Sequence, residues 1–100
     1  MNIDIRPNVE EFIETLEKPT LSKLIHTLLL LKSYGHLLRL PYSKNISTDL
    51  FELRIRGQQE VRLFYTFKDN TAIILHGFVK KTQKTPLKEL RLVHKLLAKI

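Results

Sequence analysis

The 100-residue sequence has no cysteine and no tryptophan, a single methionine and only three glycines. Lack of cysteine excludes a disulfide framework and any thiolate metal site, and it suits a reducing compartment, so a cytoplasmic protein is expected. Long apolar runs are missing too. The most apolar stretch, Leu24 to Leu31, is interrupted by His26 and falls far short of the roughly 20 residues needed to cross a bilayer. Met1 to Pro7 carry Asp4 and Arg6, so neither a secretory leader nor a membrane role is expected. His26 and His36 form no HxxxH or HExxH spacing, which argues against a metal. With no GxGxxG or Walker loop either, no cofactor is expected.

Acidic residues are the other scarcity, and they are unevenly spread. Residues 1–50 hold six Lys/Arg and six Asp/Glu, whereas residues 51–100 hold eleven and four, so the whole excess of +7 lies in the second half. A one-sided basic field favours a polyanionic partner, because each phosphate contact releases condensed counterions. Apolar residues make up 43% of the chain against 27% charged, enough for one modest core and hence one domain over residues 1–100.

Asn8 to Lys18 reads as a helix with Val9, Phe12, Ile13 and Leu16 on one stripe, Asn8 as its N-cap and Lys18–Pro19 as its stop. A second helix is expected from Thr20 as N-cap to about Tyr34, with Gly35 as a left-handed C-cap. Its Leu28 to Leu31 run suggests that it packs on both a sheet and the first helix. His36 to Asp49 reads as a connecting loop. The period then becomes two: Leu50 to Arg56 and Glu60 to Phe67 form a hairpin. Lys68 to Asn70 turns the chain, and Thr71 to Val79, apolar on both faces, reads as a central strand. Thr85 as N-cap and Pro86 at the first helical position open a last helix with Leu90, Val93, Leu97 and Ile100 inward. The expected fold is α+β: two N-terminal helices on an antiparallel sheet of three to four strands, plus a C-terminal helix. A weak alternation at Ile3 and Ile5 would supply the fourth, edge strand, and one sheet face is expected to stay open.

If Phe51, Leu53, Ile55, Val61, Leu63 and Tyr65 face the helices, then Glu52, Arg54, Arg56 and Arg62 share the opposite face. Like charges on adjoining strands repel, so an anion is the natural reward. Guanidinium groups grip phosphate oxygens with paired N–H bonds and stack on bases. Lys80, Lys81 and Lys84 follow the central strand and would form the rim of a phosphate-binding groove with Arg54 and Arg56.

The same residues carry a family resemblance. LFELRIRGQQEVRLFYTF, residues 50–67, resembles the central hairpin of the RelE/HigB toxin superfamily, and ILHGFVKKTQKTP, residues 74–86, resembles the strand and loop of its HigB-like branch. The resemblance implies the toxin of a type II toxin–antitoxin pair, a ribosome-dependent endoribonuclease that cleaves mRNA in the A site without a metal. Its partners would be the ribosome, mRNA and a cognate antitoxin, often a helix-turn-helix protein. Arg54 and Arg56 match the family's basic positions on the first hairpin strand, Arg62 the arginine of its RLxY-like run, and Lys80 or Lys81 the basic position after the last strand. Many relatives place Tyr or His soon after that strand, but Lys81 to Val93 contains neither. Glu52, His76 and the lysines are then the candidate proton carriers, although a histidine in an apolar strand is more often structural. The missing group also keeps open a second reading, a non-catalytic relic that binds RNA, the ribosome or an antitoxin.

Overall fold

The computed structural model describes residues 1–100. In chain order the elements are β1 (Asn2–Ile5), α1 (Pro7–Glu14), α2 (Lys18–Tyr34), a 3-10 turn (Gly35–Leu37), β2 (Ser43–Ser47), β3 (Leu50–Ile55), β4 (Val61–Lys68), β5 (Thr71–Val79) and α3 (Leu87–Leu97). The strands form one sheet in the order β1-β5-β4-β3-β2. Only β1 runs parallel to its neighbour; the other pairs are antiparallel.

The alternation in β3 and β4 settles which face is which. Phe51 pairs with Tyr65, Leu53 with Leu63 and Ile55 with Val61, and these side chains meet Val9, Leu16, Leu24 and Leu31 of the N-terminal segment in one core. Here α1 lies on β5 and α2 on β3. The β4–β5 hairpin turns on Asp69 and Asn70, at φ 51° and 56°, the left-handed pair that a two-residue mirror-image turn requires.

A β-bulge in β5 builds the second core. Tyr65 pairs with Ile74 but Phe64 pairs with His76, so Leu75 is the extra residue. Across the bulge the alternation changes parity. Ile73, Leu75 and Phe78 join Leu50, Phe64 and Val93 on one side, while Ile74 stays in the first core. The bulge is tied to α1, where the Asn8 side-chain amide donates to Leu75 O at 3.1 Å. Gly77 faces the first core, and a Cβ there would lie 2.6 Å from Leu63 Cδ2 and 2.7 Å from Phe12 Cδ2. Glycine is what lets Phe12 sit against the strand.

Several expectations need correction. The sheet has five strands and is mixed, since the weak alternation at Ile3 and Ile5 is a strand paired in parallel with β5, and the stretch read as a loop contains β2. The second face is not wholly open, because α3 covers it over β5 and packs Val93 and Leu90 there. Helix α1 starts at Pro7, whose missing N–H costs nothing in a first turn, and Asn8 ties the bulge instead of capping. Pro19 does not stop a helix; it lies in the first turn of α2. That leaves Thr20 inside the helix with a buried, unpaired hydroxyl. Ile25 and Leu29 of α2 are half exposed, so its apolar excess points outward and not onto α1. Pro86 occupies the cap position of α3, which frees Thr85. Gly35 does close α2 at φ 53°.

Two stability outcomes follow from this packing. Gly77→Ala overpacks the first core and should cost about 1–3 kcal/mol in urea denaturation, with part recovered when Phe12→Leu is added; an unchanged midpoint would mean the site has slack. Burial pushes the Tyr65 phenol above its usual pKa of 10.0, an effect its bond to the Ser43 hydroxyl partly offsets. Above about pH 10 the unfolded chain releases this proton while the folded chain keeps it, so Tyr65 makes stability fall as pH rises through that range. Tyr65→Phe should flatten this alkaline loss relative to the parent, and equal slopes would contradict it.

Candidate functional site

On the face away from α1 and α2, β3 carries Glu52 and Arg54, and β4 sets Arg62 directly across from Arg54. Two facing guanidinium groups repel. Glu52 resolves the conflict: its Oε1 accepts from Arg54 Nε at 2.9 Å and lies 3.6 Å from Arg62 Nε. The carboxylate is 4% exposed and the Arg62 side chain 5%, so all three charges are fixed in place.

Arg62 Nη1 donates to Glu60 Oε2 and to Val61 O, each at 3.2 Å. Its Nε has no hydrogen-bond partner. The ion-pair distance to Glu52 therefore reflects attraction without an aligned bond, and this N–H stays buried and unpaired within the protein. From the α3 side the freed Thr85 hydroxyl donates to Glu52 Oε2 at 3.4 Å. From the sheet edge, Lys44 of β2 stands across from Glu52.

The loop after β5 completes the enclosure. Lys80 Nζ donates to Thr82 O at 2.7 Å and to Gln83 O at 2.5 Å, while Thr82 Oγ1 donates to Lys84 O at 2.6 Å. The chain thus folds around one ammonium and presents Lys84 to the cleft. The result is a groove of about 390 Å³ lined by Lys44, Arg54, Arg56, Arg62, Lys80 and Lys84 against the single carboxylate of Glu52, six cations to one anion, an excess of five. Ile46 and Leu90 give it apolar walls. A concave surface of this sign concentrates phosphate groups and excludes competing cations.

Of the residues singled out from the sequence, Glu52, Arg54, Arg56, Arg62, Lys80 and Lys84 meet in this groove. Two do not. Lys81 is exposed and lies outside the lining. His76 is on the same sheet face, but its Nε2 is paired with Glu89 Oε2 of α3 at 2.5 Å and its ring stacks on Phe78. Tyr65 points into the first core, bonded to Ser43. Three participants escaped the sequence reading. Lys44 sits in the strand mistaken for a loop, Glu60 braces Arg62, and Thr85 looked like a helix cap. No three His, Asp or Glu side chains gather as a metal site would require.

Residues 11–98 match the family described as Phage derived protein Gp49-like (DUF891). The chain belongs to this family. Among solved structures, the Gp49-like chain is similar to the intact Escherichia coli RelBE toxin-antitoxin complex, with a TM-score of 0.62 at 16% identity, over 83% of this chain and 98% of that one. It is similar to the isolated E. coli RelE toxin, also at 0.62, with 14% identity over 94% and 97%. The heterotetrameric YoeB-YefM toxin-antitoxin complex of Staphylococcus aureus gives 0.56 and 22% identity over 74% and 90%. No curated protein matches at the sequence level. The Gp49-like chain therefore has the RelE toxin fold, in keeping with the superfamily resemblance of its hairpin.

Removing the Glu52 charge should leave Arg54 and Arg62 face to face. Glu52→Gln is expected to lower stability by about 2–3 kcal/mol, less than the ~3–5 kcal/mol of a fully buried pair, because Arg54 is partly solvated and the amide keeps an acceptor oxygen. The deficit should shrink in phosphate buffer relative to chloride at equal ionic strength, since the anion takes the place of the carboxylate. A loss equal in both buffers would show that the groove binds no phosphate.

Proposed function

We propose that this protein is the toxin of a type II toxin–antitoxin pair, a ribosome-dependent, metal-independent endoribonuclease that cuts mRNA in the A site and halts translation. The observation that carries the reading is the groove itself, where facing Arg54 and Arg62 are held by one buried carboxylate and six cations meet a single anion. The RelE-type fold and the LRIRG and RLFY segments agree with it. In the chemistry proposed, the RNA 2′-hydroxyl gives up its proton and attacks the adjacent phosphate, and Arg54 and Arg62 stabilise the phosphorane as charge builds on its oxygens. The bond to the 5′-oxygen then breaks, leaving a 2′,3′-cyclic phosphate and a 5′-hydroxyl that takes its proton from the protonated base or from water, while Arg56, Lys80 and Lys84 hold the flanking phosphates. Glu52 is the only carboxylate lining the groove and is the proposed proton acceptor, with His76 as the alternative.

We place the protein in the cytoplasm and in the HigB-like branch, which its 74–86 segment resembles. The proposed partner is a cognate antitoxin of helix-turn-helix type whose acidic surface covers the groove. The crystallised relatives named RelBE and YoeB-YefM are toxin-antitoxin complexes, which supports an antitoxin partner here. One observation favours a second reading. Glu52 is already engaged by Arg54 and Thr85, and His76 by Glu89, so a free base is lacking, as in a module that binds RNA or an antitoxin without cutting.

Single-turnover cleavage of ribosome-bound mRNA separates the two. Arg62→Ala should slow cleavage by about 10² or more with little change in ribosome affinity. Lys84→Ala should weaken binding and reduce its salt dependence, with the cleavage step nearly unchanged. Of Glu52→Gln and His76→Gln, the variant of the true base also loses the matching limb of the pH–rate profile. Cleavage by Arg62→Ala at the parent rate would remove Arg62 from the active site, and no cleavage by the parent chain would favour the binding reading.

A further inference from the structure

Where the groove rounds the end of β3 it meets a second concavity, a slot of about 240 Å³ lined by Lys23, His26, Pro41, Tyr42, Arg54 and Arg56, with a largely apolar surface. Arg54 and Arg56 line both cavities, so an anion held on them lies at the mouth of the slot. Ligand pockets for drug-sized molecules run to ~300–1,000 Å³; this one suits a single ring system.

The sheet edge explains why the slot exists. Arg54 N–H donates to Tyr42 O at 2.8 Å, but the chain before Tyr42 turns back on itself, with Tyr42 N–H donating to Arg39 O at 3.0 Å. The β3 edge therefore loses its neighbour one step later. Arg56 N–H makes no hydrogen bond within the protein, while Arg56 O is held by Lys23 Nζ at 3.1 Å. A fixed backbone donor thus stands beside Tyr42, a residue 41% exposed, and His26 and Pro41 complete the walls.

We propose that this slot takes one nucleobase of the RNA strand seated in the groove, stacked against Tyr42 and read at its edge by the Arg56 N–H. The inference rests on the reading of the groove as an RNA site. Its logic is continuity: once a phosphate sits on Arg54 and Arg56, the next base has one apolar, cation-flanked recess within reach. Stacking on an exposed aromatic is the usual way a single strand is held base by base. It also supplies, from α2 and the turn before β2, the aromatic and histidine contacts that the segment after β5 lacks.

The test is an NMR titration of the full chain with three probes: inorganic phosphate, a short uncleavable 2′-O-methyl RNA, and the same RNA with one base removed at successive positions. Phosphate should shift the groove signals, among them Arg54, Arg56, Arg62 and Lys84, and neither the Tyr42 nor the His26 ring. The RNA should shift these and the Tyr42 and His26 ring signals, and one abasic position should abolish the ring shifts alone. Tyr42→Ala should weaken RNA binding about tenfold, Tyr42→Phe should bind like the parent, and the critical abasic RNA should bind the parent and Tyr42→Ala equally. His26→Ala, altered on the helix wall, should also weaken RNA binding but leave the phosphate shifts intact, which guards against a misfolded Tyr42→Ala. RNA that shifts groove signals but neither ring, with Tyr42→Ala at parent affinity, overturns the slot and leaves the groove standing. RNA that shifts neither set overturns both.

Discussion

A single buried carboxylate between two arginines on neighbouring strands governs this face of the molecule. Arg54 and Arg62 are cross-strand partners, and without Glu52 their repulsion would be felt directly in the sheet. With it they become a rigid pair of donors. The arrangement costs desolvation of all three groups, and nothing in the core requires it, since apolar residues at these positions would extend the second core already formed by Leu50, Phe64 and Phe78. The cost is understandable if the face exists to meet an anion, because preorganised donors need no reorganisation when charge develops.

The rest of the fold divides that face between structure and function. By placing Leu75 and His76 opposite Phe64, the β5 bulge turns the β5 half of the face into a seat for α3. The His76–Glu89 pair fastens the helix there. With α3 so placed, Thr85 reaches Glu52 and Leu90 walls the groove. Only the β3 half stays open, bounded by β2 on one side and the Lys80 loop on the other. The same pair gives a histidine in an apolar strand its partner within the fold.

Much of this was legible in the sequence because it depends on period. The strict alternation of residues 50–56 and 60–67 separates Leu53, Ile55, Val61 and Leu63 from Glu52, Arg54 and Arg62, and the structure keeps that separation. What stayed hidden depends on tertiary choice. Strand β2 is five residues of mostly polar text joined to β3 by Thr48–Asp49, with none of the glycine that marks a tight hairpin. The parallel pairing of β1 is set by a partner some seventy positions away. Pro19 can close one helix or open the next, and Pro86 can be the cap or the first residue of a helix; the fold uses Pro19 in the first turn of α2 and Pro86 as the cap of α3. Lys81 and Lys84 look alike in sequence; only the fold of the loop around Lys80 tells which faces the groove.

In the proposed reaction this groove brings an RNA 2′-hydroxyl onto its own neighbouring phosphate, held by protein cations. The ends of the cleaved RNA report that chemistry directly. Purified protein, ribosomes and a defined mRNA should yield a downstream fragment with a 5′-hydroxyl and an upstream fragment ending in a cyclic or open 3′-phosphate. A 5′-phosphate on the downstream fragment, with a 3′-hydroxyl upstream, would mean that water was the nucleophile and would contradict the account.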